Sequence, residues 1–209
     1  MKKNIISITS PLYYVSREGL FKPVSLLLEK GADVNTQGGC FGNTLQVALA
    51  RGYKAIAALL LKKGADVNAQ GGEYGNALQA ASFQGHETIV ALLVEKGADV
   101  NAQGGDYGNA LQAARYETIA ALLLEKGADV NTQGGEYGNA LQAASAVGHE
   151  TIAALLLEKG ADVNAQGGEY GNALQAASAE GHEAIAALLL EKGARAQNIA
   201  KKKIASSIR

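Results

Sequence analysis

Apolar residues along this chain follow two alternating patterns. One is a run such as Asn76 to Ser82, in which alanines surround a single leucine. The other is a run such as Glu87 to Glu95, where Ile89, Leu92 and Leu93 fall at i, i+3 and i+4, the spacing of one helical face. Gly85 and His86 separate the two runs, so the pattern predicts two short antiparallel helices. Asn76 is placed to cap the first, with Gln79 three residues on able to reach back to it. Lys96 followed by Gly97 predicts the end of the second: a cation against the carbonyl end, then a residue free to turn left-handed.

This unit recurs. The string Gly-Ala-Asp-Val-Asn begins at Gly31, Gly64, Gly97, Gly127 and Gly160, at spacings of 33, 33, 30 and 33 residues. Residues 64–96 and 127–159 differ at five of 33 positions, and 127–159 and 160–192 at three. Copies this similar must share one structure and pack on one another in the same way, which predicts a solenoid. Helix pairs are expected over 10–30, 43–63, 76–96, 109–126, 139–159 and 172–192, joined by Gly-rich connections. Residues 97–126 are the exception, because Ala113-Ala114-Arg115-Tyr116-Glu117 replaces Ala-Ala-Ser-x-x-Gly-His-Glu. Losing three residues removes ~4.5 Å of helix rise, so the first helix, starting at Ala110, is expected to be about a turn shorter. The pair should still pack through Leu111, Ile119, Leu122 and Leu123.

The 33-residue period, the Gly-His between helices and the closing Leu-Leu-x-Glu-x-Gly-Ala-Asp-Val-Asn resemble the ankyrin repeat. The resemblance reaches the N-terminus, where Ser10-Pro11-Leu12 is similar to the family's Thr-Pro-Leu start. Elsewhere Asn-Ala-Leu-Gln stands in place of Thr-Pro-Leu-His, and three glycines such as Gly71, Gly72 and Gly75 occupy a finger that usually has one. The connection Gln-Gly-Gly-Glu-Tyr-Gly-Asn resembles ankyrin arrays appended to fungal NACHT-type signalling ATPases. The fold implied is an all-α ankyrin-repeat solenoid over residues 1–209, with a half repeat at 10–30, five repeats at 31–192 and a cap or tail at 193–209.

Composition adds little to this picture. Nineteen Lys and Arg against 20 Asp and Glu leave a net charge of −1, too balanced for a general nucleic-acid or membrane-surface binder. The 26 glycines in 209 residues fall mainly in the connections, with Gly19, Gly52, Gly85, Gly148 and Gly181 in the inter-helix turns. A single cysteine, Cys40, and the lack of any Asn-x-Ser/Thr sequon fit a reducing compartment, the cytoplasm, with the nucleus as the alternative address. The apolar stretch near Met1 is broken by Asn4, Ser7 and Pro11, short of a signal peptide or a membrane span.

Motifs that could carry chemistry do not survive inspection. Asp66-x-Asn68-x-Gln70-Gly71 opens like a calcium loop, but its twelfth position is Ala77 rather than a bidentate glutamate. Gly71-Gly72-Glu73-Tyr74-Gly75 lacks the Lys-Ser/Thr of a phosphate cradle and carries an acid at its centre. His86, His149 and His182 fall about one helix diameter apart, ~10 Å, too far for a shared metal. Cys40 has no neighbouring base. Lys201, Lys202 and Lys203 form a solvated tail rather than a nucleic-acid patch. No catalytic, metal or cofactor residues are assigned, and the chain is expected to be a non-enzymatic monomer.

A binding surface remains. The most variable sites among the copies precede the inter-helix turn: Arg17 and Glu18, Arg51, Phe83 and Gln84, Val147, and Glu180, with Arg115 and Tyr116 in the short unit. In the ankyrin family this position lines the concave face. The connections add an aromatic row, Phe41, Tyr74, Tyr107, Tyr137 and Tyr170, beside an acidic row, Glu73, Asp106, Glu136 and Glu169. Tyrosine commonly anchors binding surfaces, although repetition alone would also produce both rows. The expected partner is another protein, with a basic segment near Glu136 and Glu169. The end of the array should be covered by the tail, whose Ala200, Ile204 and Ile208 form one helical stripe, whereas Arg17 and Lys22 punctuate the start.

Overall fold

Ser10 accepts a hydrogen bond from the backbone N–H of Leu12 at 3.2 Å, and Pro11 takes the first helical position, where its missing N–H costs nothing. These two residues start α1 (Pro11–Arg17), and α2 (Phe21–Glu29) returns alongside it. The computed structural model describes residues 10–195, and the same pair recurs through it: α3 (Thr44–Ala50) with α4 (Lys54–Lys62), then α5 (Ala77–Gln84) with α6 (Glu87–Glu95). Next come α7 (Ala110–Ala113) with α8 (Glu117–Glu125), α9 (Ala140–Val147) with α10 (Glu150–Glu158), and α11 (Ala173–Ala179) with α12 (Glu183–Glu191). Among the described residues there is no strand, only one isolated antiparallel bridge in each connection, such as Gly71 with Gly75.

Each later first helix is capped as its sequence predicts. The Oδ1 atoms of Asn43, Asn76, Asn109, Asn139 and Asn172 accept from the N–H three residues on at 2.8–2.9 Å. The reciprocal bond differs from expectation. It forms only from the Asn43 N–H to Gln46 Oε1, at 2.7 Å, while the same oxygen of Gln79, Gln112 and Gln142 has no partner. These glutamines are held by the next repeat instead. The Gln79 amide donates to the Gly104 and Gly108 carbonyls at 2.9 and 3.0 Å, joining one first helix to the following finger. The second helices end as expected: Gly97 has φ 87°, its N–H bonds the Val94 carbonyl at 3.0 Å, and the Ala98 N–H bonds that of Leu93 at 2.9 Å.

Packing follows side-chain size. From α5 onward the first helices bury alanines and one leucine, while the second helices bury Ile and Leu such as Ile89 and Leu93. Each fully buried Leu or Ile contributes about 1.5–3 kcal/mol. Neighbouring first helices lie closer together than neighbouring second helices. A stack that is tighter on one side curves towards it, so the first helices and fingers line the concave face.

Two hydrogen-bonded ladders run along the stack. In the first, Asn68 Oδ1 accepts from the Asp99 N–H at 2.9 Å and its amide donates to the Gly97 carbonyl at 3.0 Å. Asn101, Asn131 and Asn164 repeat this down to Gly193 and Arg195. Asp66 Oδ1 meanwhile accepts from the Asn68 N–H at 2.9 Å, so the calcium-like spacing is occupied with shaping a turn. In the second ladder, each finger N–H donates to the previous finger's carbonyl: Glu73 to Cys40, Asp106 to Glu73, Glu136 to Asp106 and Glu169 to Glu136, at 2.9–3.1 Å. The additional glycines make this approach available. Gly105 has φ 61°, and a Cβ there would lie 2.4 Å from the Tyr74 carbonyl carbon.

The short unit ends its first helix early. α7 has four residues where α5 and α9 have eight, and the chain continues extended through Ala114 (φ −67°, ψ 121°) and Tyr116 (φ −127°, ψ 131°). No non-glycine residue among those described takes a positive φ, so the missing glycine is met by a straight path rather than by strain. Leu111, Ile119 and Leu123 stay buried and Leu122 packs against them, and both ladders pass through without interruption.

The two ends depart from expectation. The first pair exposes Tyr14, Leu20, Phe21 and Leu26 despite Arg17 and Lys22, whereas the last pair exposes Leu190. In the first pair Leu12, Tyr13, Val24 and Leu28 are buried. Residues 196–209, with the stripe of Ala200, Ile204 and Ile208 and the run from Lys201 to Lys203, lie outside the described residues.

Candidate functional site

The aromatic row is assembled by the finger ladder, because each finger repeats its neighbour's backbone one step along the stack. Phe41 and Tyr74 stack with centroids 6.2 Å apart, and Tyr74 and Tyr107 at 6.1 Å, both within 14° of parallel. Phe83 at the end of α5 tilts between the two tyrosines, 5.4 Å from Tyr74 and 4.8 Å from Tyr107. The Arg51 guanidinium lies 5.5 Å over Phe41, and that of Arg115 4.8 Å over Phe83. The helix-end sites and the finger aromatics, far apart in sequence, therefore form one surface.

Several candidate residues are partly engaged within the chain. The Gln84 amide donates to the Ala50 carbonyl at 3.0 Å and meets the Tyr74 hydroxyl at 3.4 Å. Arg17 pairs with Glu18 at 2.7 Å and lies over Tyr14, which leaves little free charge there. The Tyr170 hydroxyl donates to Glu180 at 2.7 Å. Tyr116 is 53% exposed, yet its ring edge rests on Gly85. Arg51, Arg115, Val147 and the carboxylate-bearing residues Glu73, Asp106, Glu136 and Glu169 face solvent, while Tyr74, Phe83, Tyr107, Tyr137 and Tyr170 are half-buried.

Burial governs the titration of this face. It raises the phenols of Tyr74, Tyr107 and Tyr137, that of Tyr107 to about 12 with neighbouring Tyr74 and Tyr137 adding to the shift. Tyr170 is also raised to about 12, first through its hydrogen bond to Glu180. His86 and His149 are lowered by burial, and secondarily by the cations Lys54 and Arg115 respectively. These groups hold their neutral forms and provide hydrogen bonding rather than charge.

The turn residues form a further row. Tyr53 packs on Gly19, His86 on Gly52, Tyr116 on Gly85 and His182 on Gly148. His182 Nε2 also lies 3.1 Å from the Ala146 carbonyl. His149 breaks the series, because the three lost residues took the glycine it would pack on; its buried Nε2 has no partner, which is also true of His86 Nε2 beside an intact turn. Beside it the concave face opens into a pocket of about 280 Å³ between Phe83 and Val147. Sequence reasoning placed Tyr107, Arg115, Tyr137 and Val147 on a binding face, but missed Leu111, Ala114, Ala143 and His149. The missing residues at Arg115 were the signal, since a helix turn deleted from a packed row must leave a gap unless its neighbours close it.

Comparison with known proteins agrees with this geometry. A family model for ankyrin repeats (three copies) matches residues 12–104, 72–134 and 109–200. No curated protein sequence matches the chain significantly. The crystal structure of the human ASB11 ankyrin repeat domain is similar at 25% identity and a TM-score of 0.77, over 92% of this chain and 89% of that one. Among the described residues, no helix is long and apolar enough to cross a membrane. With capped helix pairs, fingers and a family match extending through nearly all of its repeats, the chain belongs to the ankyrin-repeat family.

Proposed function

We propose that this chain is a protein-binding module that receives its partner along the concave face, without catalysis of its own. Ankyrin-repeat domains are in general protein–protein interaction modules, and no enzyme family is indicated by the matches. The observation that carries the reading is the continuous surface of Phe41, Tyr74, Phe83 and Tyr107 with Arg51 and Arg115 lying over it. Half-buried aromatic rings present contact area whose orientation is already fixed, so little entropy is lost on binding.

The acidic row at Glu73, Asp106, Glu136 and Glu169 adds a local negative field and supports a basic segment in the partner. Because Arg51 dilutes this field near the start of the array, that segment is expected at the Glu136 and Glu169 end. The test is affinity capture with mass spectrometry, comparing this chain with one carrying Arg51→Ala, Phe83→Ala and Glu180→Ala. Alanine already occupies the Phe83 position in three copies, at Ala50, Ala146 and Ala179, so the variant should fold. A partner retained by the native chain, lost by the variant and weakened by salt is expected. Partners held equally by both, with equal binding at low and high salt, would refute the groove as the site.

The resemblance of the fingers to arrays of NACHT-type signalling ATPases supports an alternative setting, as the ligand-sensing part of a larger protein. The matches are to ankyrin repeats and carry no such assignment. A reading frame extending upstream of Met1 into a phosphate-binding loop would favour it. Cytoplasmic residence and a monomeric state are part of the same proposal, checked by fractionation and by sedimentation.

A further inference from the structure

The notch beside the short repeat is a site rather than a packing defect. We propose that it takes one aromatic side chain from the protein partner, with a carboxylate of the same partner segment paired to Arg115. This deepens the proposed protein-binding role and rests on it.

Four features of the notch lead to this occupant. Its volume of about 280 Å³ falls just below the range of roughly 300–1,000 Å³ typical of drug-sized ligand sites, so it fits a single ring better than a cofactor. Its floor is apolar, made by Leu111, Ala114, Ala143 and Ala144, and the rings of Tyr107 and Tyr137 line it from the fingers. An aromatic guest would there exchange water for alanine methyls and ring faces.

Besides the Tyr107 and Tyr137 hydroxyls the lining carries three polar side chains, Gln112, Arg115 and His149, of which Gln112 donates its amide to the Thr132 carbonyl. His149 Nε2 is buried without a partner, as is His86 Nε2 at an intact turn, while the equivalent atom of His182 lies 3.1 Å from the Ala146 carbonyl; His149 is the one of the three that lines the notch. Arg115 lines the notch with its guanidinium carbon 4.8 Å over the Phe83 ring, and among the described residues it makes no ion pair. A guanidinium fixed on a ring face keeps its edge donors available for a planar carboxylate. Arg115 is also the only charged residue lining the notch, so the complementary charge on a guest is negative. In an extended partner segment, residues i and i+2 share a face. The recognised element is thus an aromatic residue with Asp or Glu two positions away, distinct from the basic segment drawn to the acidic fingers.

The first test uses phenylacetate and phenethylamine as probes, followed by amide NMR on the full chain. Phenylacetate should shift the signals of Ala113, Ala114 and Arg115 and the ring of His149 at millimolar concentrations, with phenethylamine several-fold weaker. Arg115→Gln should abolish that preference. Replacing Arg115-Tyr116 by Ser-Ala-Val-Gly-His, which restores the missing turn, should abolish both responses, and Ala143→Leu provides a second way to fill the notch if the insertion does not fold. A peptide-display selection on the native chain, counter-selected on the filled variant, should then enrich an aromatic residue spaced two from Asp or Glu. Absence of shifts at the notch, equal binding by the filled variants, or a preference for the amine would overturn the proposal, as would selected peptides that bind native and filled chains alike. These probes report on the notch without the natural partner, so a failure here leaves the capture experiment on the whole groove intact as a separate test.

Discussion

Residues 97–126 and 127–159 are neighbours that share almost every residue outside one turn, yet only the first has a four-residue inner helix. Their common parts behave alike. Leu123 and Leu156 are both fully buried, the Asn ladder continues through Asn101 and Asn131, and the finger ladder joins Asp106 to Glu136. What differs is the concave side, where a lost turn leaves His149 without its counterpart glycine and opens the notch. The finger ladder, the Asn turns and the second-helix packing all continue across the short unit, and α7 still packs between α5 and α9. A turn of the first helix can therefore be removed without parting the array, and the consequence falls on the binding face instead of on the core.

The largest test of this equivalence is in the core. Leu123→Ala and Leu156→Ala should each cost about 2–5 kcal/mol, because both leave a cavity in a closed contact. Chemical denaturation giving a clearly smaller loss at Leu123 would show the short repeat to be loosely packed. Next in size, Gly105→Ala and Gly135→Ala should each cost roughly 2–4 kcal/mol, from positive φ and from backbone of the adjacent finger within 2.5 Å of the added Cβ. Unequal melts would locate a weaker finger contact on one side of the short unit.

Restoring Ser-Ala-Val-Gly-His in place of Arg115-Tyr116 should raise stability by about 0.5–2 kcal/mol, as filling an open gap usually does. Hydrogen exchange on the native chain should be fastest over Ala113 to Thr118, with flanking repeats protected, and the insertion should slow it. A loss of stability on insertion would mean that the neighbours have adapted to the shortened turn. The smallest effect is set by pH. His86 and His149 have lowered folded pKa values, so the unfolded chain binds more protons and stability should fall as pH drops below about 6.5. The raised phenols act in the other direction, reducing stability as pH climbs above about 10. Thermal melts of His149→Gln should lose part of the acid-side slope. An unchanged slope would assign it to His86 alone.

Much of this architecture was legible before any coordinates. The period located every helix pair, Asn at each first-helix start after α1 acted as a cap, and Lys-Gly closed each second helix, because these are local interactions between residues a few positions apart. The early end of α7 was also readable, since a chain three residues shorter cannot complete the same helix and turn. Local rules failed where one side chain had a choice of partners: Gln79 could reach back to its own cap but bonds the next finger. Asp66 and Asn68, spaced like ion ligands, are engaged in a turn and in a ladder.

The sequence by itself determined the repeat, its helices, their caps and the place where one copy falls short, because each depends on spacing along the chain. Only the tertiary structure decided which aromatic rings stack, which candidate cations lie over them, and what a missing turn leaves behind. Those outcomes depend on residues about one repeat apart being brought side by side. His149 has the same flanking glycine and glutamate as His182, and differs because the repeat before it lacks the glycine on which its counterpart rests.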